Sequence, residues 1–238
     1  MLMAKDLSKT YGQGPNAVQA LDGVSVGFDA AAFAAIMGPS GSGKSTLMHC
    51  LAGLDTVTSG SVRIGDTELS GLSDRALTLF RRDHVGFVFQ SFNLLPALTA
   101  EQNILLPLEL AGRRPDPRWF QQVVSVLGLG DRLGHRPSEL SGGQQQRVAC
   151  ARALISRPDV IFADEPTGNL DSRSGTEVLG FLRHSAREFG QTIIMVTHDP
   201  VAASYADRVV FLADGQVAGE LDRPSVAQLL DVLKDQEC

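Results

Sequence analysis

The sequence predicts an α/β protein: a core of short buried strands and helices, preceded by an antiparallel β part and interrupted by a helical insertion. Three observations carry this. Residues 1–11, 18–28 and 33–37 alternate as antiparallel strands do. From Lys44 onward, helical patterns alternate with short apolar runs, the mark of parallel strands buried on both faces. Between Ser91 and Leu140 the chain is Leu-rich at helical spacing and shows no strand alternation.

Taken in order, the first three strands are Met1–Tyr11, Val18–Phe28 and Phe33–Met37, and a helix follows Lys44. Further strands are expected at Ser61–Ile64, Val85–Val88, Val160–Ala163, Thr192–Val196, Val209–Ala213 and Gln216–Glu220. In the insertion, Ile104, Leu105, Leu108 and Leu110 keep helical spacing, and Gly112 to Pro117 punctuates it. A long helix is expected from Ser172 to Phe189, with Ser172 as its cap and Gly190 as its stop. An amphipathic helix is expected after Pro224, a residue suited to a first helical turn.

Composition narrows the function. The 238 residues are 43% hydrophobic and 20% charged, as in ordinary globular proteins. A net charge of -6 argues against a nucleic-acid partner, whose phosphates call for clustered Lys and Arg. The apolar stretch Ala30–Met37 is far short of a membrane span. Met1–Thr10 lacks a signal-peptide layout, so a cytosolic protein is expected. Cys50, Cys150 and Cys238 are widely spaced and read as reduced thiols, two of them in the core.

Chemistry enters at Gly38-Pro39-Ser40-Gly41-Ser42-Gly43-Lys44-Ser45, which fits the phosphate-binding loop G-x-x-x-x-G-K-[ST]. It follows an apolar strand and precedes a helix, the context the motif needs. Its amides and the new helix start, continuing into Thr46, would face phosphate oxygens. Lys44 would reach the outer phosphates, and the Ser45 hydroxyl would ligate Mg2+. Downstream, the run Val160–Ala163 ends in Asp164 and Glu165. Two carboxylates at a buried strand end call for a cation or water. Asp164 suits the metal, and Glu165 suits a general base for an attacking water.

Leu140–Arg147 reads L-S-G-G-Q-Q-Q-R and resembles the signature motif of ABC ATPases. The rest of that family's set follows in order. Tyr11 resembles the aromatic residue that stacks on adenine, although stacking alone leaves GTP open as an alternative. Gln90 resembles the Q-loop glutamine near the metal. Asn169-Leu170-Asp171 resembles the D-loop, and His198 in V-T-H-D resembles the switch histidine. His49, His84, His135 and His184 have no such pattern and read as structural or exposed.

The resemblance implies an ABC ATPase fold on a P-loop core, spanning 1–238 as one nucleotide-binding domain. Residues 1–90 and 158–220 would form the core and antiparallel β part, 91–157 a helical subdomain, and 221–238 a C-terminal helix. It implies ATP and Mg2+ as ligand and cofactor, with Glu165 and His198 catalytic. It also implies a head-to-tail dimer in which Ser141, Gly142, Gly143, Gln144 and Asp171 of one copy meet the nucleotide of the other. In physical terms, Ser141–Gly143 precede a helical run and form a second anion-binding helix start, which one phosphate tail does not need.

Ser91–Ala100 and Pro166–Asp171 are similar to the ABC subunits of lipoprotein-release, macrolide-export and cell-division systems. That branch implies an integral-membrane permease partner, a place at the cytoplasmic face of the membrane, and work as exporter or mechanotransmitter. Phe92, Leu94 and Leu95 either floor a groove for a permease helix or pack inside the insertion. An ABC ATPase acting on DNA or ribosomes would carry a long coiled-coil insert or a second motif set. A non-hydrolysing scaffold would not need Glu165 and His198. One departure stands out: the family's Gly-Glu turn before the phosphate-loop strand is here Asp29-Ala30-Ala31-Ala32, although alanine is poor where φ is positive.

Overall fold

The computed structural model describes residues 1–236. In chain order the elements are β1 (Leu2–Tyr11), β2 (Val18–Phe28), β3 (Phe33–Met37), α1 (Lys44–Leu51), β4 (Ser59–Ile64), β5 (Thr67–Glu68), α2 (Asp74–His84) and β6 (Val85–Phe89). Then follow α3 (Ala100–Leu110), α4 (Pro117–Val126), α5 (Gly142–Ile155), β7 (Val160–Asp164), α6 (Ser172–Phe189), β8 (Thr192–Val196), α7 (Pro200–Ala203), β9 (Arg208–Ala213), β10 (Gln216–Asp222) and α8 (Val226–Gln236).

Two sheets form. The smaller is antiparallel, in the order β2-β1-β4-β5. The larger runs β10-β9-β3-β8-β7-β6; its five strands from β9 to β6 are parallel, and β10 pairs antiparallel with β9. This corrects the grouping of Phe33–Met37 with the antiparallel strands: β3 lies between β8 and β9 and pairs parallel with both. The physical reason is burial on both faces. Phe33, Ala35 and Met37 join the core shared with α3, α4, α5 and α6, while Ala34 and Ile36 join the core shared with α1 and the antiparallel sheet. A strand with two apolar faces belongs inside a covered parallel sheet.

The helices α3, α4 and α5 lie between β6 and β7 in the chain, where the Leu-rich spacing predicted them. Asp116 caps α4 through the Arg118 and Trp119 amides, and Trp119 Nε1 donates to the Ile155 carbonyl at 3.1 Å, tying α4 to the end of α5. α6 has the expected bounds and ends at Gly190, but its cap is Asp171 rather than Ser172. The Asp171 carboxylate accepts from the Arg173 and Ser174 amides, each at 3.0 Å, and a carboxylate at a helix start also meets the positive end of the helix dipole. The sequence reading missed α2, a highly charged helix that buries only Phe80.

Ala31 sits at φ 56°, so the turn before β3 is left-handed although it holds alanine. Its amide donates to Thr192 Oγ1 at 3.1 Å, which ties the turn to β8. α8 begins two residues after Pro224, and Leu229 buries it against the core. Cys50 and Cys150 are buried and free, with Cys150 pushed up to about 12 by burial; Cys238 lies outside the described residues.

Candidate active site

The parallel strands end together on one side of the sheet, where ligands of open α/β folds bind. The loop between β3 and α1 defines this end. Gly38 lies at φ 148°, and a Cβ there would collide with the Leu212 carbonyl oxygen, so only glycine lets the loop pack against β9. α1 starts behind Gly43, which has no side chain to cap the first-turn amides. Those amides are left facing the loop's concave side.

An open cavity of about 630 Å3 results, lined by Gly38, Pro39, Ser40, Gly41, Gly43, Lys44, Ser45 and Thr46 together with Glu165 and His198. Ser42 lies buried beneath, its Oγ 3.5 Å from Lys44 Nζ. The Lys44 ammonium donates to the Pro39 carbonyl at 2.6 Å. Burial pulls its pKa down and Glu165 opposes that; an anion entering the cavity would likewise favour the charged ammonium.

Opposite the loop, β7 ends at Asp164, whose carboxyl is pushed up by burial and further by Glu165, while His49 opposes the shift. Glu165 follows at φ 45°, a left-handed conformation costing on the order of 1 kcal/mol for a residue with a side chain. That bend swings its carboxylate out of the strand direction. Thr197 Oγ1 donates to Oε2 at 3.1 Å, the His198 amide donates to Oε1 at 3.0 Å, and His198 Nδ1 lies 2.7 Å from Oε1. The His198 side chain is 76% exposed and Glu165 only 19%, so the histidine faces the cavity mouth while the carboxylate sits at its wall. Thr197, fully buried, was missed by the sequence reading. Its signal was there: a hydroxyl at a buried strand end beside the histidine in V-T-H-D.

A family model described as ABC transporter matches residues 21–168, more than half of the chain. The chain belongs to the ABC transporter family. The bacitracin export ATP-binding protein BceA of Halalkalibacterium halodurans is 42% identical over 241 residues, covering 99% of this cassette and 95% of that protein. The macrolide export ATP-binding/permease protein MacB of Marinobacter nauticus is 47% identical over 219 residues. That match covers 91% of this cassette but only 34% of the MacB chain. Among solved structures, the ATP-binding cassette MJ0796 in a dimeric post-hydrolysis state with ADP and Pi superposes with a TM-score of 0.84 at 40% identity, covering 94% of this chain and 100% of that one. This chain is an ATP-binding cassette and an ATPase.

In the cassette, the signature residues stand away from the phosphate cavity. Ser141 caps α5: its hydroxyl accepts from the Gln144 amide at 3.3 Å, and its own amide donates to Gln144 Oε1 at 2.8 Å. A Cβ on Gly143 would lie 2.6 Å from Ser174 Oγ, so glycine lets α5 approach the start of α6. Among the described residues, none from 141 to 144 lines the cavity.

Gln90 and Asp171 are exposed and likewise do not line the cavity; the Asp171 carboxylate is engaged by Ser174 at the start of α6. Gln90 Nε2 donates to Asn169 Oδ1 at 3.2 Å, and Asn169 Nδ2 donates back to the Gln90 carbonyl at 3.1 Å. Next to them, Phe92 and Asn93 both take left-handed φ, and the Arg152 guanidinium from α5 donates to both their carbonyls at 2.8 and 2.6 Å. Gln146, also on α5 and fully buried, donates to the Phe89 and Pro166 carbonyls at 3.2 and 2.5 Å. Two α5 side chains thus grip the segment around Gln90, a linkage the sequence reading did not contain. Leu94 packs onto the core, whereas Leu95 is 47% exposed. Among the described residues, no helix is long and apolar enough to cross a membrane.

Proposed function

We propose that two copies of this cassette close head to tail on two ATP molecules and drive an integral-membrane permease, as an exporter or a mechanotransmitter. One observation carries the dimer: the cavity that holds Lys44, Glu165 and His198 includes no residue of the signature loop. A γ-phosphate bound there is covered on one side only. The dimeric form of MJ0796 and the export in the names of BceA and MacB support the same reading. The permease would hold the cassette at the cytoplasmic face of the membrane.

Residues 38–46 cradle the phosphates, with Lys44 as a point charge released from the Pro39 carbonyl. Mg2+ fits the site. It favours oxygen ligands and shares them with substrate phosphates, and the Ser45 hydroxyl in the cavity and the half-buried Asp164 carboxylate at the end of β7 would supply them. Bound there, it would draw charge from the phosphate oxygens during transfer. Tyr11 offers its ring to the base. Glu165 takes the proton of an attacking water, held in place by Thr197 and the His198 amide, while the exposed His198 ring orients that water. Ser141, Gly142, Gly143, Gln144 and Asp171 contact the partner's nucleotide, and Gln90, now bonded to Asn169, would help hold the metal.

Replacing Glu165 with Gln tests this directly. ATP binding is retained, turnover falls by at least about 100-fold, and size-exclusion in Mg-ATP shows a stable dimer. A species that stays monomeric while binding ATP refutes the shared site.

A further inference from the structure

Tyr11, the strand partner of the cavity-lining Val18, gathers two further side chains that the hydrolysis chemistry does not use. Lys9 and Tyr11 lie two residues apart on β1 and so share one face of the strand. Asp55 lies in the connection between α1 and β4. Lys9 Nζ donates to Asp55 Oδ1 and to the Thr56 carbonyl, both at 2.6 Å. Tyr11 Oη donates to the other carboxylate oxygen, Oδ2, at 2.6 Å. The Lys9 ammonium also sits 4.7 Å from the centroid of the Tyr11 ring. One carboxylate therefore holds the cation with one oxygen and the phenol with the other.

The arrangement is rigid for a physical reason. Lys9 is only 7% exposed, and a buried ammonium is tolerated only with its partner in place. Asp55 is then not free to turn, and neither is the hydroxyl bound to it. Burial alone would raise the Asp55 carboxyl, but the bonds from Lys9 and Tyr11 outweigh it and hold the group below its usual value. With one ring face under the ammonium, Tyr11 remains 42% exposed. Its strand partner Val18 lines the phosphate cavity, as does Thr46.

We infer that Lys9 and Asp55 are positioning residues for the nucleotide base: they lock the Tyr11 ring beside the cavity-lining Val18 so that its uncovered face receives a purine. This rests on the reading of Tyr11 as the base contact. A cation behind the ring draws on its π density, and the clamp removes the side-chain freedom that stacking would otherwise have to freeze.

The test measures binding of ATP and, as a probe without a base, inorganic tripolyphosphate to the full chain by calorimetry. Tyr11→Ala weakens ATP about tenfold and leaves tripolyphosphate unchanged. Tyr11→Phe, which keeps the ring, and Asp55→Ala each weaken ATP about threefold, again with tripolyphosphate unchanged. Lys9→Arg keeps near-parent affinity. In a Tyr11→Ala background, Asp55→Ala adds no further loss, because its effect runs through the ring. If Tyr11→Ala weakens ATP but Tyr11→Phe and Asp55→Ala do not, the clamp is refuted and the base contact stands. If Tyr11→Ala leaves ATP binding intact, both fall. Equal loss for ATP and tripolyphosphate in Asp55→Ala would mark general damage and overturn the inference. Should that variant not fold by circular dichroism, Tyr11→Phe decides alone.

Discussion

Two helix starts in this chain carry glycine and serine, and they are built in opposite ways. α1 begins behind Gly43, at φ 95°, with no side-chain oxygen for its first amides. α5 begins behind Ser141, where hydroxyl and amide are already paired with Gln144. The first start leaves its donors to a visitor and walls a cavity with Glu165 and His198. The second satisfies itself and stands outside that cavity. Similar composition therefore builds two differently capped starts, one walling the cavity and one outside it, as the proposed shared site requires.

Removing one group from each helix start separates their contributions. Lys44→Ala should cost about 2–3 kcal/mol of ATP binding, since a charge-assisted contact to phosphate is lost, and titration calorimetry on the monomer would read it. Ser141→Ala should cost only about 1 kcal/mol of folding stability through the lost cap, while leaving monomer ATP affinity unchanged and lowering turnover. If both variants weaken monomer binding alike, the two starts serve one phosphate and the distinction collapses.

A pH measurement sharpens the resident side. Burial raises the Asp164 pKa in the fold, so the protonated form is favoured there. Its contribution to stability is fully present below the unfolded value, near 4, and is lost as pH rises through the folded value. At neutral pH the ionised carboxylate is thus a liability that a bound cation relieves. Asp164→Asn should raise the urea midpoint of the nucleotide-free protein at pH 7, flatten its acid dependence and abolish stabilisation by Mg-ATP. An unchanged midpoint would mean that Asp164 is already neutralised by its neighbours. The smallest effect is expected at Ala31→Gly, which relieves the left-handed turn at φ 56° and should add about 0.5 kcal/mol with ATPase activity unchanged.

The candidate site was proposed from the sequence because its residues sit in contiguous strings. Gly38–Thr46, Ser141–Gln144 and the Asp164-Glu165 pair declare themselves by local spacing, and the structure brings residues of the first and last of these to one cavity. What stayed hidden depends on distant segments meeting. Asp55 is an unremarkable loop aspartate until β1 brings Lys9 and Tyr11 beside it. Arg152 reads as a solvated helix charge until the carbonyls of Phe92 and Asn93 turn toward it. The same logic explains the fold errors. β3 was grouped with its sequence neighbours because strand alternation reports only that a segment is extended, not which sheet holds it. Asp171 and Ser172 are both good caps, and only the bonds to Arg173 and Ser174 choose between them. α2 hid because charge, not apolar periodicity, dominates its surface.

The pairing of β3 has a consequence for how this chain is made. Phe33 lies opposite Ile193 and Ala35 opposite Val209. During synthesis, the strand that carries the phosphate loop therefore waits, apolar on both faces, until most of the polypeptide has left the ribosome. A chain stalled before β8 exposes a short sticky segment open to aggregation or to chaperone capture.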